Sequence, residues 1–231
     1  MFLIHTSDLG TEIVTIFVGP KRKEFLIHKR LLCKKVEYFD KMFKGGFKEA
    51  EETTSYMPED SPNTFSLFVR WLYRNDFPKL AKTAEQGNES CKSSDIMSLY
   101  FLAHKMCLEV VADRCMDILI DFHVSSDQVL NDEQIVKAYE NSMTDSAVRL
   151  YCSRQVHWIL ATFKNGKHST MWYRDLLEKH EDMFTDLLVQ LRNTSNKQIM
   201  DPRKAPRCDY HVHKKDMPCP TETDSKVRES C

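Results

Sequence analysis

The stretch Glu12–Phe43, EIVTIFVGPKRKEFLIHKRLLCKKVEYFDKMF, changes its period part-way along. Glu12 to Val18 is rich in β-branched residues and stops at Gly19-Pro20, and EFLI follows the basic run Lys21–Lys23. Two such runs either side of a Gly-Pro signal predict a β-hairpin with Lys21 to Lys23 at its turn. Three charges are too few for a phosphate-binding or nuclear-targeting patch, so they read as a solvated turn. After His28, Leu31, Leu32, Tyr38, Phe39, Met42 and Phe43 recur at helical spacings until Gly45-Gly46. Two short helices are predicted there.

Working outward, Thr53 to Met57 (TTSYM) reads as a brief strand. Ser61-Pro62 then offers an N-cap followed by proline at the first helical position, with Phe65, Phe68, Val69 and Leu72 as the buried stripe. From about Pro78 to Ser94 the hydrophobic period disappears into polar, glycine and serine residues, which marks an insertion. It resumes with Ser94 placed to cap a helix carrying Ile96, Leu99, Leu102, Ala103 and Met106. A second helix carries Leu108, Val111, Ala112, Cys115, Ile118, Leu119 and Phe122. These two helices are expected to pair antiparallel. Further helices are expected near Asp132–Tyr139, Asp145–Phe163, Trp172–Leu177 and Asp182–Leu191, with no fixed-period repeat. From about Asn193 the chain is polar and proline-bearing, so it should be irregular except where something ties it down.

With 231 residues, 42% of them hydrophobic and 29% charged, the chain can bury a substantial core. Its 33 basic and 34 acidic residues leave a net charge of -1, which gives no global electrostatic reason for a nucleic-acid or anionic-membrane partner. The N-terminal MFLIHTSDLG lacks the basic start and long apolar run of a secretory signal, and no later run is long enough to span a bilayer. An intracellular protein, of cytoplasm or nucleus, is expected. Cys33, Cys91, Cys107, Cys115 and Cys152 are scattered and read as reduced core thiols.

Catalytic motifs do not emerge. There is no phosphate-binding glycine loop, no G-x-S-x-G elbow and no H-E-x-x-H helix. The adjacent carboxylates Glu51-Glu52 and Glu59-Asp60 lack an apolar pocket to raise a pKa. VRWLYR places Arg70 and Arg74 on a solvated helix face, and HWILATFK (His157–Lys164) reads as a buried one.

The tail segment CDYHVHKKDMPC, Cys208 to Cys219, gathers thiols and imidazoles into one loop's length. Cys208-x2-His211 is a knuckle-like spacing. His211 and His213, two apart in extended chain, point to one side, and Cys219 between Pro218 and Pro220 can return to complete four ligands. Two readings stand: a structural zinc that pins the tail, or an irregular tail without metal. A catalytic zinc is disfavoured, because four protein ligands close the coordination sphere and no glutamate sits beside the histidines as a base. Cys231 reads as a bystander.

Five ordered motifs, SDLGTEIVTIFVG, FLIHKRLLCKKVEYFDKMF, GGFKEAEE, MPEDSPNTFSLFVRWLY and LYFLAHKMCLEVVADRCMDIL, together resemble a BTB (POZ) domain. The resemblance covers roughly Ser7 to His123 and is strongest to fungal BTB proteins with a variable helical tail, some of which carry similar Cys/His tails. It implies an α+β fold, a small sheet with surrounding helices, over residues 1–125, followed by a helical extension over 126–192 and an irregular Cys/His-bearing tail over 193–231. It also implies a non-enzymatic protein-interaction module, often homodimeric and often an adaptor to a cullin-RING ubiquitin ligase. The alternative reading is a nuclear transcription or chromatin regulator that self-associates through this domain. Asp8 and His28 match polar positions the family places near its dimer-forming surface, with Leu31 and Leu32 beside them. From the residues alone, His28 reads first as a helix-terminus histidine with a satisfied ring nitrogen. Where the family often has Ser-Pro before YF, this chain has Val36-Glu37, a lost N-cap of about 1 kcal/mol, so the helix is expected to start differently.

Overall fold

The computed structural model describes residues 9–45, 52–80, 90–162, 170–194, 198–213 and 219. Two compact units are present, Met1–Ala112 and Asp113–Cys231.

In the first unit, β1 (Ile13–Val18) and β2 (Lys23–His28) form the expected antiparallel hairpin, and β3 (Thr54–Met57) adds parallel to β1, giving the order β2-β1-β3. Gly19, at φ 77, opens the turn, and its carbonyl accepts from Arg22 N at 2.9 Å. Lys23 already belongs to β2, so the basic run straddles turn and strand. Period-two alternation sends Val14, Ile16 and Val18 inward at 0% exposure. On the opposite face Phe17 stacks on Tyr56, centroids 5.2 Å apart.

Helices α1 (Lys29–Lys35) and α2 (Glu37–Lys44) are joined by Val36 alone. The Val36 N–H donates to Leu32 O at 2.9 Å, and its carbonyl accepts from Phe39 N and Asp40 N, both at 3.1 Å. Its side chain is fully buried. One extended residue thus ends one helix and begins the next. Hydrophobic burial stands where a capping hydroxyl is absent, and α2 starts at Glu37.

Helix α3 (Pro62–Arg74) buries Phe65, Phe68 and Leu72, with Thr64 in place of the half-buried Val69. Ser61 occupies the N-cap, but its hydroxyl makes no capping bond; only its carbonyl serves, accepting from Phe65 N at 2.9 Å. Arg70 forks onto Asp76 at 2.9 and 3.1 Å, so this part of the basic stripe is answered by a carboxylate. Within the polar insertion, β4 (Lys79–Leu80) and β5 (Ser90–Cys91) pair parallel. Helix α4 (Ser93–Lys105) is capped differently from expectation: Asp95 accepts from Lys92 N at 3.1 Å, and Ser94 lies inside the first turn. A carboxylate three residues on competes well for that orphan N–H because it is charged.

Helix α5 (Glu109–Ser126) contributes its residues from Asp113 onward to the second unit. There follow α6 (Asp132–Asn141), α7 (Ala147–Thr162), α8 (Thr170–Lys179) and α9 (Glu181–Asn193). A reciprocal capping box starts α6: Gln134 N donates to Asn131 Oδ1 at 2.9 Å, and Asn131 N to Gln134 Oε1 at 3.0 Å. Helix α7 is the centre of this core, with Val148, Tyr151, Cys152 and Val156 at 1% exposure or less. HWILATFK is buried only at its start: His157 is inside, Leu160 is 40% exposed, and Phe163-Lys164 lie outside the described residues.

The seven described cysteines form no disulfide. Cys115 and Cys152 are core thiols and Cys33 and Cys91 are half-buried, whereas Cys107 is exposed. Its backbone, at φ 56, ends α4 in a left-handed turn that leaves the side chain outside.

Candidate metal centre

Tail residues 198–213 are not loose. Two short 3-10 turns, Pro202–Lys204 and Arg207–Tyr210, lay them against the helices of the second unit. Tyr210, at 0% exposure, inserts edge-on against Tyr151, centroids 5.1 Å apart, and its hydroxyl donates to Pro202 O at 3.0 Å. Arg154 lies over the Tyr210 ring and bonds Asp209 at 2.7 Å. Arg203 forks onto Asp201, reaches Asp127 at 2.9 Å and covers the Trp158 ring. Arg207 bonds Asp121 at 2.6 Å. An aromatic anchor between charge-assisted bonds holds the chain against solvent.

That anchoring delivers the ligands. Cys208 lies in the second 3-10 turn, His211 and His213 in the extended chain after it, and Cys219 returns to them buried. One ligand atom from each of Cys208, His211, His213 and Cys219 lies within 4.8 Å of all the others. The His211 side chain is 0% exposed; its Nδ1 is 3.3 Å from Cys219 Sγ and its Nε2 2.9 Å from Asp117 Oδ1. Burial pulls the His211 pKa down, but the hydrogen bond to Asp117 and the charges of Asp117 and Asp113 outweigh it, leaving it above the ordinary value. The four expected ligands are therefore together, and a group this close can hold a metal ion. Two thiols and two imidazoles use all four positions of a tetrahedron, which suits a structural role.

Sequence reasoning missed Asp113 and Asp117. Both lie on α5 and are buried, at 0% and 6% exposure. Their signal was present: two carboxylates four apart inside the apolar run VADRCMDIL, where an unpaired buried charge is costly and implies a partner. Asp113 accepts from Val212 N at 2.6 Å.

Burial pushes the thiols of Cys33 and Cys152 up, and that of Cys91 to about 12, the opposite of what a nucleophile needs.

The first unit holds the other expected site. His28 opens α1, its Nδ1 2.7 Å from the Tyr73 hydroxyl, which also accepts from His28 N at 3.0 Å. Leu31 and Leu32, at 2% and 0% exposure, face the core, so the expected Leu31-Leu32 surface is corrected: helical phase turns both inward. Asp8 lies outside the described residues. What this unit does expose is the outer face of its sheet, with Ile13 at 43%, Leu26 at 64% and Tyr56 at 54%. The hairpin, the α1–α2 pair, β3, α3 and the helices after them follow the order of the resemblance drawn from sequence, and a family model for the BTB/POZ domain matches residues 11–123.

Residues 11–123 are a BTB/POZ domain. A BTB/POZ domain-containing protein of Arabidopsis thaliana is 25% identical over 125 residues, a stretch covering 54% of this chain and 14% of that relative. The chain therefore shares a domain with a much longer protein. No helix among the described residues is long and apolar enough to cross a membrane.

Proposed function

We propose that this protein is a non-enzymatic intracellular adaptor, in which the BTB/POZ domain engages protein partners and a helical extension is closed by a zinc-pinned tail. The BTB/POZ match over residues 11–123 carries the adaptor reading. The convergence of Cys208, His211, His213 and Cys219 supports the metal. Zinc is the ion that this donor set suits: borderline-soft, content with two thiolates and two imidazoles, and indifferent to geometry beyond the tetrahedron. Its function would be to hold the tail in place, since no ligand position remains for substrate. The reading includes a second copy of the chain and a cullin scaffold among the protein partners, on the strength of the domain alone.

Native mass spectrometry of the full chain, purified without chelator, tests metal and self-association together. The expected spectrum is a dimer with one zinc per subunit, the zinc lost in Cys208→Ala and His211→Ala. A metal-free wild type refutes the zinc, and a monomer at micromolar concentration refutes self-association. Retention of a purified cullin N-terminal domain on the immobilised chain tests the scaffold, and failure to retain it at micromolar concentration removes cullin from the proposal.

A further inference from the structure

The ligand loop is gripped from outside the ligand set by two carboxylates one helical turn apart on α5. Asp117 Oδ1 accepts from His211 Nε2 at 2.9 Å, across 94 residues of sequence. Asp113 Oδ1 accepts from Val212 N, the residue between the two histidines, at 2.6 Å. Asp113 is 0% exposed and its Oδ2 has no hydrogen-bond partner among the described residues. A buried carboxylate left partly unanswered is costly in a low-dielectric setting. A divalent cation in the cluster beside it would supply compensating charge. Arg114 provides only a long contact on this side, 3.9 Å from Asp117 Oδ2.

We propose that Asp117 is a positioning residue of the metal centre: it holds the His211 proton on Nε2, so that Nδ1 is left bare to face Cys219 and the metal. The proposal rests on the reading that the Cys/His cluster binds zinc. A histidine that ligates metal through one nitrogen commonly gives its other N–H to a carboxylate, which fixes the tautomer and ring orientation and makes the ligating nitrogen more basic. Here the carboxylate comes from the helix and all four ligands from the tail. Loading the site and docking the tail on α5 are then one event.

The test uses the full chain and Zn2+ alone, competed against a chelating indicator, for wild type, Asp117→Asn and Asp117→Ala. Arg149→Lys serves as a control that perturbs the same unit at a distance from the cluster. Loss of a carboxylate of this kind weakens metal binding by about 10- to 100-fold. We expect Asp117→Ala to show that loss, Asp117→Asn a smaller one because the amide keeps an acceptor, and Arg149→Lys none. A second readout separates positioning from general stability. With Co2+ in place of Zn2+, the visible d–d bands of the loaded Asp117 variants should shift from those of wild type, and those of Arg149→Lys should not. If Asp117→Ala does not accumulate folded, Asp117→Asn decides through its affinity and its Co2+ bands. Wild type that fails to bind Zn2+ overturns the zinc reading itself. Wild type that binds while the Asp117 variants match it in affinity and in Co2+ spectrum overturns only the role of Asp117.

Discussion

His123 shows how one side chain sets a condition on the whole second unit. It is 1% exposed, stacked on Tyr151, with Nδ1 3.0 Å from the Tyr151 hydroxyl. Burial, reinforced by the Arg203 charge, pushes its pKa down to about 4 from an ordinary 6.5. Between those values the unfolded chain binds a proton that the folded one refuses, so His123's contribution is fully present above 6.5 and is lost as the pH falls toward 4. The loss is on the order of 3 kcal/mol. Urea midpoints measured from pH 7 to 4 should fall more steeply for wild type than for His123→Phe. Parallel curves would assign the acid sensitivity to other groups. No pattern in the sequence announced this residue: it sits near the end of a helix where a polar side chain is ordinarily solvated, and only the arrival of Tyr151 and Arg203 buries it.

Between elements, Arg149 binds three segments at once. It is buried on α7, yet its guanidinium donates to Tyr139 O at 2.9 Å and Ser142 O at 2.6 Å, and bonds Asp182 at 2.8 Å. The carbonyls at the end of α6 have no intrahelical partner, and Arg149 satisfies them from a neighbouring helix. Arg149→Met should lower unfolding free energy by about 3 kcal/mol, through orphaned carbonyls and lost charge-assisted bonds, as read from denaturant midpoints. A change under about 1 kcal/mol would mean that water replaces the guanidinium. The elements themselves were legible wherever period and punctuation agreed, as in the hairpin closed at Gly19, the helices either side of Val36, and α3 after Ser61-Pro62. Legibility failed at caps and at faces: Asp95 displaced Ser94, Leu31 and Leu32 turned inward, and Leu160 came out. Those outcomes depend on which of several nearby groups reaches an N–H or a core first, and residue spacing alone does not rank them.

For the second unit as a whole, the proposed zinc links the tail to stability. A ligand that binds only the folded state at 100 times its dissociation constant stabilises by about 2.7 kcal/mol. Stripping zinc with a chelator should therefore lower the melting temperature by several degrees and expose residues 198–213 to protease. Unchanged melting and an uncut tail would show that Tyr210, Arg154 and Arg203 hold the segment unaided. The grouping of Cys208, His211, His213 and Cys219 was readable from its spacing. Its seat was not, because the groups that receive it, Asp113, Asp117, Tyr151 and Arg154, lie some 55 to 99 residues earlier in the chain.

The full burial of Tyr210 also orders events during synthesis. The three-stranded sheet can close once Met57 has been made, whereas the socket formed by Tyr151 and Arg154 stays unfilled until Tyr210 arrives. At cellular elongation rates of about 5–20 residues per second, the 56 residues from Arg154 to Tyr210 take roughly 3–11 s. Over that interval a nascent helical array carries an aromatic socket that only the arrival of Tyr210 fills.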